Sequence, residues 1–259
     1  MLAREAVQRI LKEPRFQDIR RLEHYGYHAY SQNDEDGIIA EIFRRIGTTD
    51  RRFVEIGAGD GYENNTVFLL LQGWSGLWVE ADGTNARRIT SRLAEPIKEG
   101  RLQYLQQFVT RESVNELLLN CQLTGEIDFL SIDIDGNDYY LLEALTALSP
   151  RVVAIEYNAM FRPPIIWVNA YDPRRSWDGG NAYGASLSAL EQLGRRKGYA
   201  LVGTGIVGVN AFFVRNNLVA DHFAGPFTAD NLFNEPAYEL QDAFRSGHPA
   251  SWARGGEPI

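Results

Sequence analysis

The stretch from Arg52 to Asp82 reads R-F-V-E-I-G-A-G-D-G-Y-E-N-N-T-V-F-L-L-L-Q-G-W-S-G-L-W-V-E-A-D, and it limits the folds open to this chain more than any other. The apolar run Phe53 to Ile56 predicts a buried strand. Gly57, Gly59 and Gly61 follow at once and predict a turn in which backbone can approach a ligand closely. Asn64, Asn65 and Thr66 offer caps for a helix over Val67 to Gln72. A second strand, Leu77 to Val79, runs into Glu80 and Asp82. Strand, glycine turn, helix, strand and acid, in that order, make the front half of a nucleotide-binding α/β unit. In such a unit the acid at the second strand's tip accepts hydrogen bonds from ribose hydroxyls. Glu80 follows Gly61 at close to the required spacing of about 20 residues. Glu55 lies within the first strand. A carboxylate there would repel a pyrophosphate and suit a ligand bearing a cationic amino group.

The rest of the chain extends this pattern. Helices are predicted over residues 1–23, broken at Pro14, then over Ile38 to Ile46, Asn85 to Glu99 with an interruption at Pro96, and residues 111–120. Two more are predicted over Tyr139 to Leu148 and Ala185 to Lys197. Further strands are predicted at Leu102 to Val109, Ile127 to Asp135 and Val152 to Tyr157. Tyr199 to Ile206 and Ala211 to Val214 read as a hairpin turning around Gly208-Val209-Asn210. Short apolar strands alternating with helices predict a mostly parallel sheet covered on both faces, closed by an antiparallel hairpin. Ligands of such sheets sit outside the carboxyl ends of the strands. That places Glu55 to Gly61, Glu80, Asp133 to Asp138 and Glu156 to Asn158 on one rim. We divide the chain into an N-terminal helical cap (1–30), a catalytic domain (31–220) and a C-terminal extension (221–259). The cap is also suited to a homo-oligomer contact. Residues 159–184 are too long for an ordinary connection and rich in aromatic residues, which predicts a lid over a substrate.

Composition narrows the partners. Apolar residues make up 44% of the 259, a globular proportion, and the formal net charge of −8 argues against nucleic acid as the main partner. A small molecule or a glycan fits better. The single cysteine, Cys121, excludes a disulfide within the chain and a cysteine zinc site. There is no run of 18 apolar residues, so no membrane span is expected, and the charged amphipathic start lacks the apolar core of a secretion signal. A cytoplasmic location is the expectation. The segment S-Q-N-D-E-D-G (31–37) is open to two readings. Its acids cap the following helix, or Ser31 and Gln32 reach a ligand. His24 and His28 have metal-ligand spacing only if helical, and Gly26 between them argues against a helix.

The pattern E-x-G-x-G-x-G at Glu55 to Gly61 resembles the first motif of class I methyltransferases, whose cofactor S-adenosylmethionine carries adenosine, ribose and an amino acid but no phosphate. For methyl transfer to a hydroxyl, much of the acceleration comes from holding the acceptor in line, and a base must take its proton. No histidine lies in a rim motif, so Asp133 and Asp135 are the candidate catalytic bases. Asp133, Asp135, Glu156 and Asn158 also form a candidate all-oxygen site for Mg²⁺ or another divalent cation. The reasoning is that acids gathered on one rim without Lys or Arg repel one another. The other reading has Asp133 orienting backbone or cofactor while its neighbours cap the next helix.

Longer matches carry a narrower resemblance. Y-S-Q-N-D-E-D-G (30–37), F-V-E-I-G-A-G-D-G (53–61), W-V-E-A-D (78–82), F-L-S-I-D-I-D-G (129–136) and V-V-A-I-E-Y-N (152–158) resemble FkbM-type S-adenosylmethionine-dependent methyltransferases. The resemblance implies a Rossmann-like seven-stranded fold and O-methylation, frequently of sugars, glycolipids or secondary metabolites. It implies that Glu55, Gly57, Gly59 and Glu80 hold the cofactor and that Asp133 lies near the methyl group. Asp133-Ile134-Asp135 also matches the D-x-D metal motif of macrocin-type sugar O-methyltransferases, but Tyr157 and Asn158 stand where that group carries an adjacent acid pair. The full expected cofactor set is Ser31, Gln32, Glu55, Gly57, Ala58, Gly59, Asn65, Thr66, Glu80 and Asp133. The expected substrate contacts are Asp138, Tyr157, Trp167, Trp177 and Tyr183. The alternatives are an NAD-dependent oxidoreductase, against which Glu55 counts, and a non-catalytic cofactor-binding module, against which the Asp133 to Asp138 cluster counts.

Overall fold

The computed structural model describes residues 2–134, 136–175, 183–206, 210–235, 237 and 240. In chain order these form α1 (Leu2–Ile10), α2 (Glu35–Ile46), β1 (Arg52–Ile56), α3 (Val67–Leu71), β2 (Ser75–Glu80), α4 (Gly83–Arg92), α5 (Ala94–Lys98), β3 (Leu102–Gln106) and α6 (Val114–Asn120). There follow β4 (Gly125–Ile132), α7 (Asp138–Ala144), β5 (Leu148–Glu156), α8 (Leu187–Arg196), β6 (Tyr199–Thr204), β7 (Asn210–Arg215) and α9 (Ala229–Leu232). One seven-stranded sheet runs in the order β3-β2-β1-β4-β5-β7-β6. The first five strands pair in parallel, and β7 lies antiparallel to both β5 and β6. This is the expected Rossmann-like α/β architecture with its closing antiparallel pair.

The two-residue period of the strands builds the two cores. Val54, Ile56, Leu77, Val79, Leu130, Ile132, Val153 and Ile155 point to one face, against the apolar residues of α6, α7 and α8. Phe53, Trp78, Phe129, Val152, Ala154, Phe212 and Val214 point to the other, against α2 and α3. Central β1 is therefore buried on both sides, and Glu55 sits among the apolar residues of the second face.

Several element boundaries differ from expectation, for local reasons. The helix after β2 breaks at Leu93, earlier than Pro96, and Pro96 lies in the first turn of α5. Proline cannot donate to the carbonyl four residues back, so the break falls upstream and the ring takes a position where no donor is needed. Pro150 does not end a helix. It lies near the start of β5, opposite Ile127 of β4, and its carbonyl accepts the Tyr199 hydroxyl (2.7 Å). A missing N–H is tolerated there. Of the hairpin turn, residues 207–209 lie outside the described residues, and Asn210 is the first residue of β7. The N-terminal segment packs on the sheet's β6 edge, with Leu22 filling the space above Gly203. Arg15 donates to the Phe233 carbonyl (2.9 Å) and Arg21 to the Asn231 carbonyl (3.1 Å), so the segments before and after the sheet are tied together. Among the described residues no helix is long and apolar enough to cross a membrane.

The end of the sheet away from the rim is held by one buried ion pair. Asp128 of β4 is fully buried and accepts the N–H groups of Thr49 (2.9 Å), Asp50 (3.1 Å) and Arg51 (2.8 Å). Arg151 of β5 donates to Asp128 (2.6 Å) and to the carbonyls of Ile46 (2.9 Å) and Gly47 (2.8 Å) at the end of α2. The pair thus fixes the loop that delivers the chain into β1. Removing one partner leaves the other charge buried and uncompensated, which costs about 3–5 kcal/mol. Asp128→Ala is expected to lose about that much stability in urea unfolding; a loss within about 0.5 kcal/mol, the scale of a neutral surface change, would refute this role.

Candidate functional site

The glycine turn follows β1 directly. Gly57 and Ala58 donate to the Val79 carbonyl of β2 (2.9 and 3.3 Å). Gly57 has φ +89°, and an added Cβ would stand 1.6 Å from the Asp133 carbonyl oxygen, so only glycine lets the turn pass under the end of β4. Gly59, at φ +59°, has nothing within 4 Å of where its Cβ would be. Its missing side chain leaves space open beside the turn. Its N–H donates to Glu80 Oε2 (2.8 Å), while Glu80 Oε1 accepts the Asp82 N–H (2.7 Å). Asp82 in turn caps α4 by accepting from Thr84 (2.7 Å) and Asn85 (2.9 Å). The acid at the tip of β2 is thereby fixed against the glycine turn.

Glu55 is 1% exposed. The Asn65 N–H donates to its Oε1 (2.9 Å) and the Thr66 hydroxyl to its Oε2. Trp78 Nε1 donates to that hydroxyl (2.6 Å), and Asn65 Nδ2 to Ser131 Oγ (3.0 Å). Asn64 supplies the predicted cap, its Oδ1 accepting from Thr66 (3.1 Å) and Val67 (2.9 Å). Burial pushes the Glu55 carboxyl up to about 7, against hydrogen bonds from Thr66, Asn65 and Ser131 that pull it down.

A cavity of about 470 Å³ opens over this turn, within the usual range of roughly 300–1,000 Å³ for small-molecule sites. It is lined by Glu55, Gly57, Gly59, Glu63, Asn64 and Asn65 from β1 and the turn, by Glu80, Asp82 and Asn85 after β2, and by Gln107 and Phe108 after β3. Asp133 and Ile134 after β4, Gln32, Arg175 and Asn210 complete it. Of the expected cofactor set, Gln32, Glu55, Gly57, Gly59, Asn65, Glu80 and Asp133 come together here. Ser31, Ala58 and Thr66 do not reach the cavity. Ala58 is buried under the turn, Thr66 is buried between Glu55 and Trp78, and the Ser31 hydroxyl donates to Asp36 Oδ2 (2.9 Å).

That last contact resolves the two readings of the 31–37 segment. Asp36 Oδ2 also accepts the N–H groups of Ala29 (2.7 Å), Tyr30 (2.6 Å) and Ser31 (2.8 Å), so it folds the chain back and carries Gln32 to the cavity. Glu35 accepts from Asn210 Nδ2 (3.0 Å) and holds the first residue of β7 at the rim. Asn210 was not foreseen, although an antiparallel strand that begins where its parallel neighbour ends must start on the rim.

On the acid side the expected residues divide between the cavity and the packing around it. Asp133 lines the cavity, its N–H bonded to the Ile56 carbonyl (2.9 Å). Asp138 is buried and accepts from the Ile134 (2.8 Å) and Gly136 (2.9 Å) N–H groups, so it holds the loop after β4. Tyr157 is 1% exposed and packs against Phe233 in the core. Asn158 is fully buried, its Nδ2 donating to the Tyr183 carbonyl (3.0 Å) and its Oδ1 accepting from Met160 (3.1 Å). Neither Glu156 nor Tyr183 lines the cavity, and Trp167 stacks on Phe161 away from it, at 4.1 Å between ring centroids. Asp135 and Trp177 lie outside the described residues. Among the described residues no group of three or more His, Cys, Asp or Glu side chains is placed to hold a metal ion. Of the expected ligands, Asp133 lines the cavity, Glu156 and Asn158 do not, and Arg175 adds a cation to the rim.

The described part of the expected lid is anchored beside the cavity. Val168 bridges Ala185, Tyr140 Oη donates to the Asn169 carbonyl (2.8 Å), and Asn137 Nδ2 to the Asp172 carbonyl (2.8 Å). Tyr171 donates to Glu112 and lies under the Arg111 guanidinium, 3.9 Å from its ring centroid. Residues 176–182, the rest of that segment, lie outside the described residues.

No protein-family model and no curated protein matches this chain. Among solved structures it is similar in fold to an O-methyltransferase from Bacillus cereus in complex with SAH, at 19% identity and a TM-score of 0.47 over 82% of this chain and 89% of that one. It is also similar to the SAH-bound N-terminal domain of EvdMO1 (16% identity, TM-score 0.46, 82% and 94% covered). A third is the methyltransferase domain of bacterial CtHen1 (13% identity, TM-score 0.45, 71% and 97% covered).

The buried carboxylate has a measurable consequence. Its folded value of about 7 lies above the ordinary glutamate value of 4.5, so its neutral form is favoured in the fold. Stability is then fully present below about pH 4.5 and is lost as pH rises through about 7, by up to about 3 kcal/mol. Glu55→Gln keeps an acceptor for Asn65 and gives Thr66 a donor. The variant is expected to melt higher than the parent at pH 8 and equally at pH 4.5. Equal melting at both would contradict a strained Glu55.

Proposed function

We propose that this protein is an S-adenosylmethionine-dependent methyltransferase acting on a hydroxyl of a small molecule, with sugars, glycolipids and natural products as the acceptor classes. The observation that carries the reading is the placement of two carboxylates, Glu55 and Glu80, on either side of the open Gly59 turn in one cavity. A nucleoside bearing an amino acid matches that pair. Glu80 keeps lone pairs beyond its two backbone bonds and would accept from ribose hydroxyls. Glu55 would face the ammonium group, and opposite charge at close range restores its ionised form. Phe108, exposed at the end of β3, offers an aromatic face to the base. Glu55 disfavours a pyrophosphate, which separates this cavity from a dinucleotide site; Glu80 suits the ribose of either.

When bound, S-adenosylmethionine supplies a methyl group on a sulfonium, open to in-line displacement. The chain's own part is to hold the acceptor and take its proton. Asp133 is the cavity acid at the end of β4, beyond the glycine turn from Glu80, and serves as general base for the hydroxyl. Gln32 and Asn210 line the same cavity.

Calorimetric titration tests the reading. S-adenosylhomocysteine is expected to bind the parent protein and to lose about tenfold or more affinity in Glu80→Ala, the loss of a charged hydrogen bond. NAD is expected not to compete. Tight NAD binding with no S-adenosylhomocysteine binding would overturn it.

A further inference from the structure

The cavity carries one feature that the cofactor does not use. Its described lining holds the carboxylates Glu55, Glu63, Glu80, Asp82 and Asp133, and among those lining residues Arg175 is the only cation. Arg175 belongs to the long segment after β5, and its delivery to the rim is built into the fold. Its N–H donates to the Asp172 carbonyl (3.0 Å), and that carbonyl also accepts Asn137 Nδ2 (2.8 Å) from the start of α7. The turn over 172–175 is thereby pinned to the loop after β4. Gly136 makes room for the side chain, because a Cβ there would stand 2.8 Å from Arg175 Cδ. The stem of Arg175 crosses that glycine, in the loop after β4, and the residue lines the cavity together with Asp133 and Ile134 from the end of the same strand.

We propose that Arg175 selects a methyl acceptor carrying an anionic group, a carboxylate or a phosphate, near the hydroxyl that reacts. This deepens the methyltransferase reading and rests on it. A guanidinium offers a planar fork of donors that matches a carboxylate or phosphate with two parallel hydrogen bonds. The cofactor proposed above needs acids at its ammonium and ribose and has no use for a cation at the β4 end. The two charges there divide the work. Asp133 takes the proton of the hydroxyl, and Arg175 orients the neighbouring anion so that this hydroxyl faces the methyl group. A negatively charged acceptor also needs such a cation to enter a cavity otherwise lined by acids.

The test uses the full chain saturated with S-adenosylhomocysteine, whose binding is measured first in the same cell. Glucose, glucuronate and glucose 6-phosphate are then titrated as neutral, carboxylate and phosphate probes, up to 10 mM as an order-of-magnitude ceiling for millimolar affinities. At least one anionic probe is expected to bind tenfold or more tightly than glucose, with affinity falling as salt rises, and the stronger of the two identifies the anion class. Arg175→Met is expected to abolish that preference, and Arg175→Lys to restore part of it. Gly136→Ala, which leaves Arg175 in place but crowds its stem, is expected to weaken the anion and leave glucose unchanged. Melting temperatures confirm that each variant folds. If S-adenosylhomocysteine binds but no anionic probe is preferred, or if Arg175→Met changes neutral and anionic probes alike, the inference is overturned and Arg175 is a counterion of the rim. If S-adenosylhomocysteine itself does not bind, the methyltransferase reading fails first.

Discussion

A carboxylate on the central strand of a parallel sheet is the constraint around which this molecule is arranged. Glu55 sits in β1, between β2 and β4, where neighbouring side chains on its face are Phe53, Trp78 and Phe129. An acid there is costly unless its oxygens are met by donors. The chain meets them with the segment that follows the glycine turn: the Asn65 N–H and the Thr66 hydroxyl close on the carboxylate, and Trp78 fixes the hydroxyl from β2. Asn64, in the same segment, accepts from Thr66 and Val67 at the start of α3. One buried charge therefore determines the turn, the helix start and the shape of the cavity floor. Its carboxyl remains pushed up to about 7 by burial, which leaves it poised to respond to a cation.

The rim extends outward from that acid in both directions. Toward β2 and β3, Glu80, Asp82 and Phe108 form a half suited to a nucleoside. Toward β4 and β7, Asp133, Arg175, Gln32 and Asn210 form a half with mixed charge, suited to a polar acceptor. The two halves are built by different means. The first is local, because a turn and the strand next to it supply the groups. The second is assembled from segments far apart in the chain, each held by a buried acid: Asp36 carries Gln32, Glu35 carries Asn210, and Asp138 closes the loop that Arg175 crosses. At the far end of the sheet Asp128 and Arg151 do the same for the entry into β1.

That difference explains what could be read from the sequence. The glycine turn, the Asn64 cap, the position of Glu80 and the mostly parallel sheet with its closing hairpin were legible because each depends on residues a few positions apart, or on alternating apolar runs. The positions of Ser31, Asp138 and Asn158 were legible, but their roles were not. A polar residue near a rim looks the same in sequence whether its oxygens face a ligand or a backbone N–H, and here backbone N–H groups donate to all three. Arg175 was invisible for the opposite reason. It lies in a stretch with no periodicity, and only the turn at Asp172 and the space over Gly136 bring it to Asp133.

The central claim is that the strain on Glu55 is relieved by a cationic amino group. Proton release on binding tests it most directly. S-adenosylhomocysteine, whose α-amino group is charged below its usual pKa of about 8, can be titrated near pH 6 in buffers of different ionisation enthalpy. At that pH Glu55 is mostly protonated, and an adjacent ammonium should drive its proton off. The account expects about one proton released per ligand bound, and none in Glu55→Gln. Binding without proton release in the parent protein, or with the same release in the variant, would contradict it.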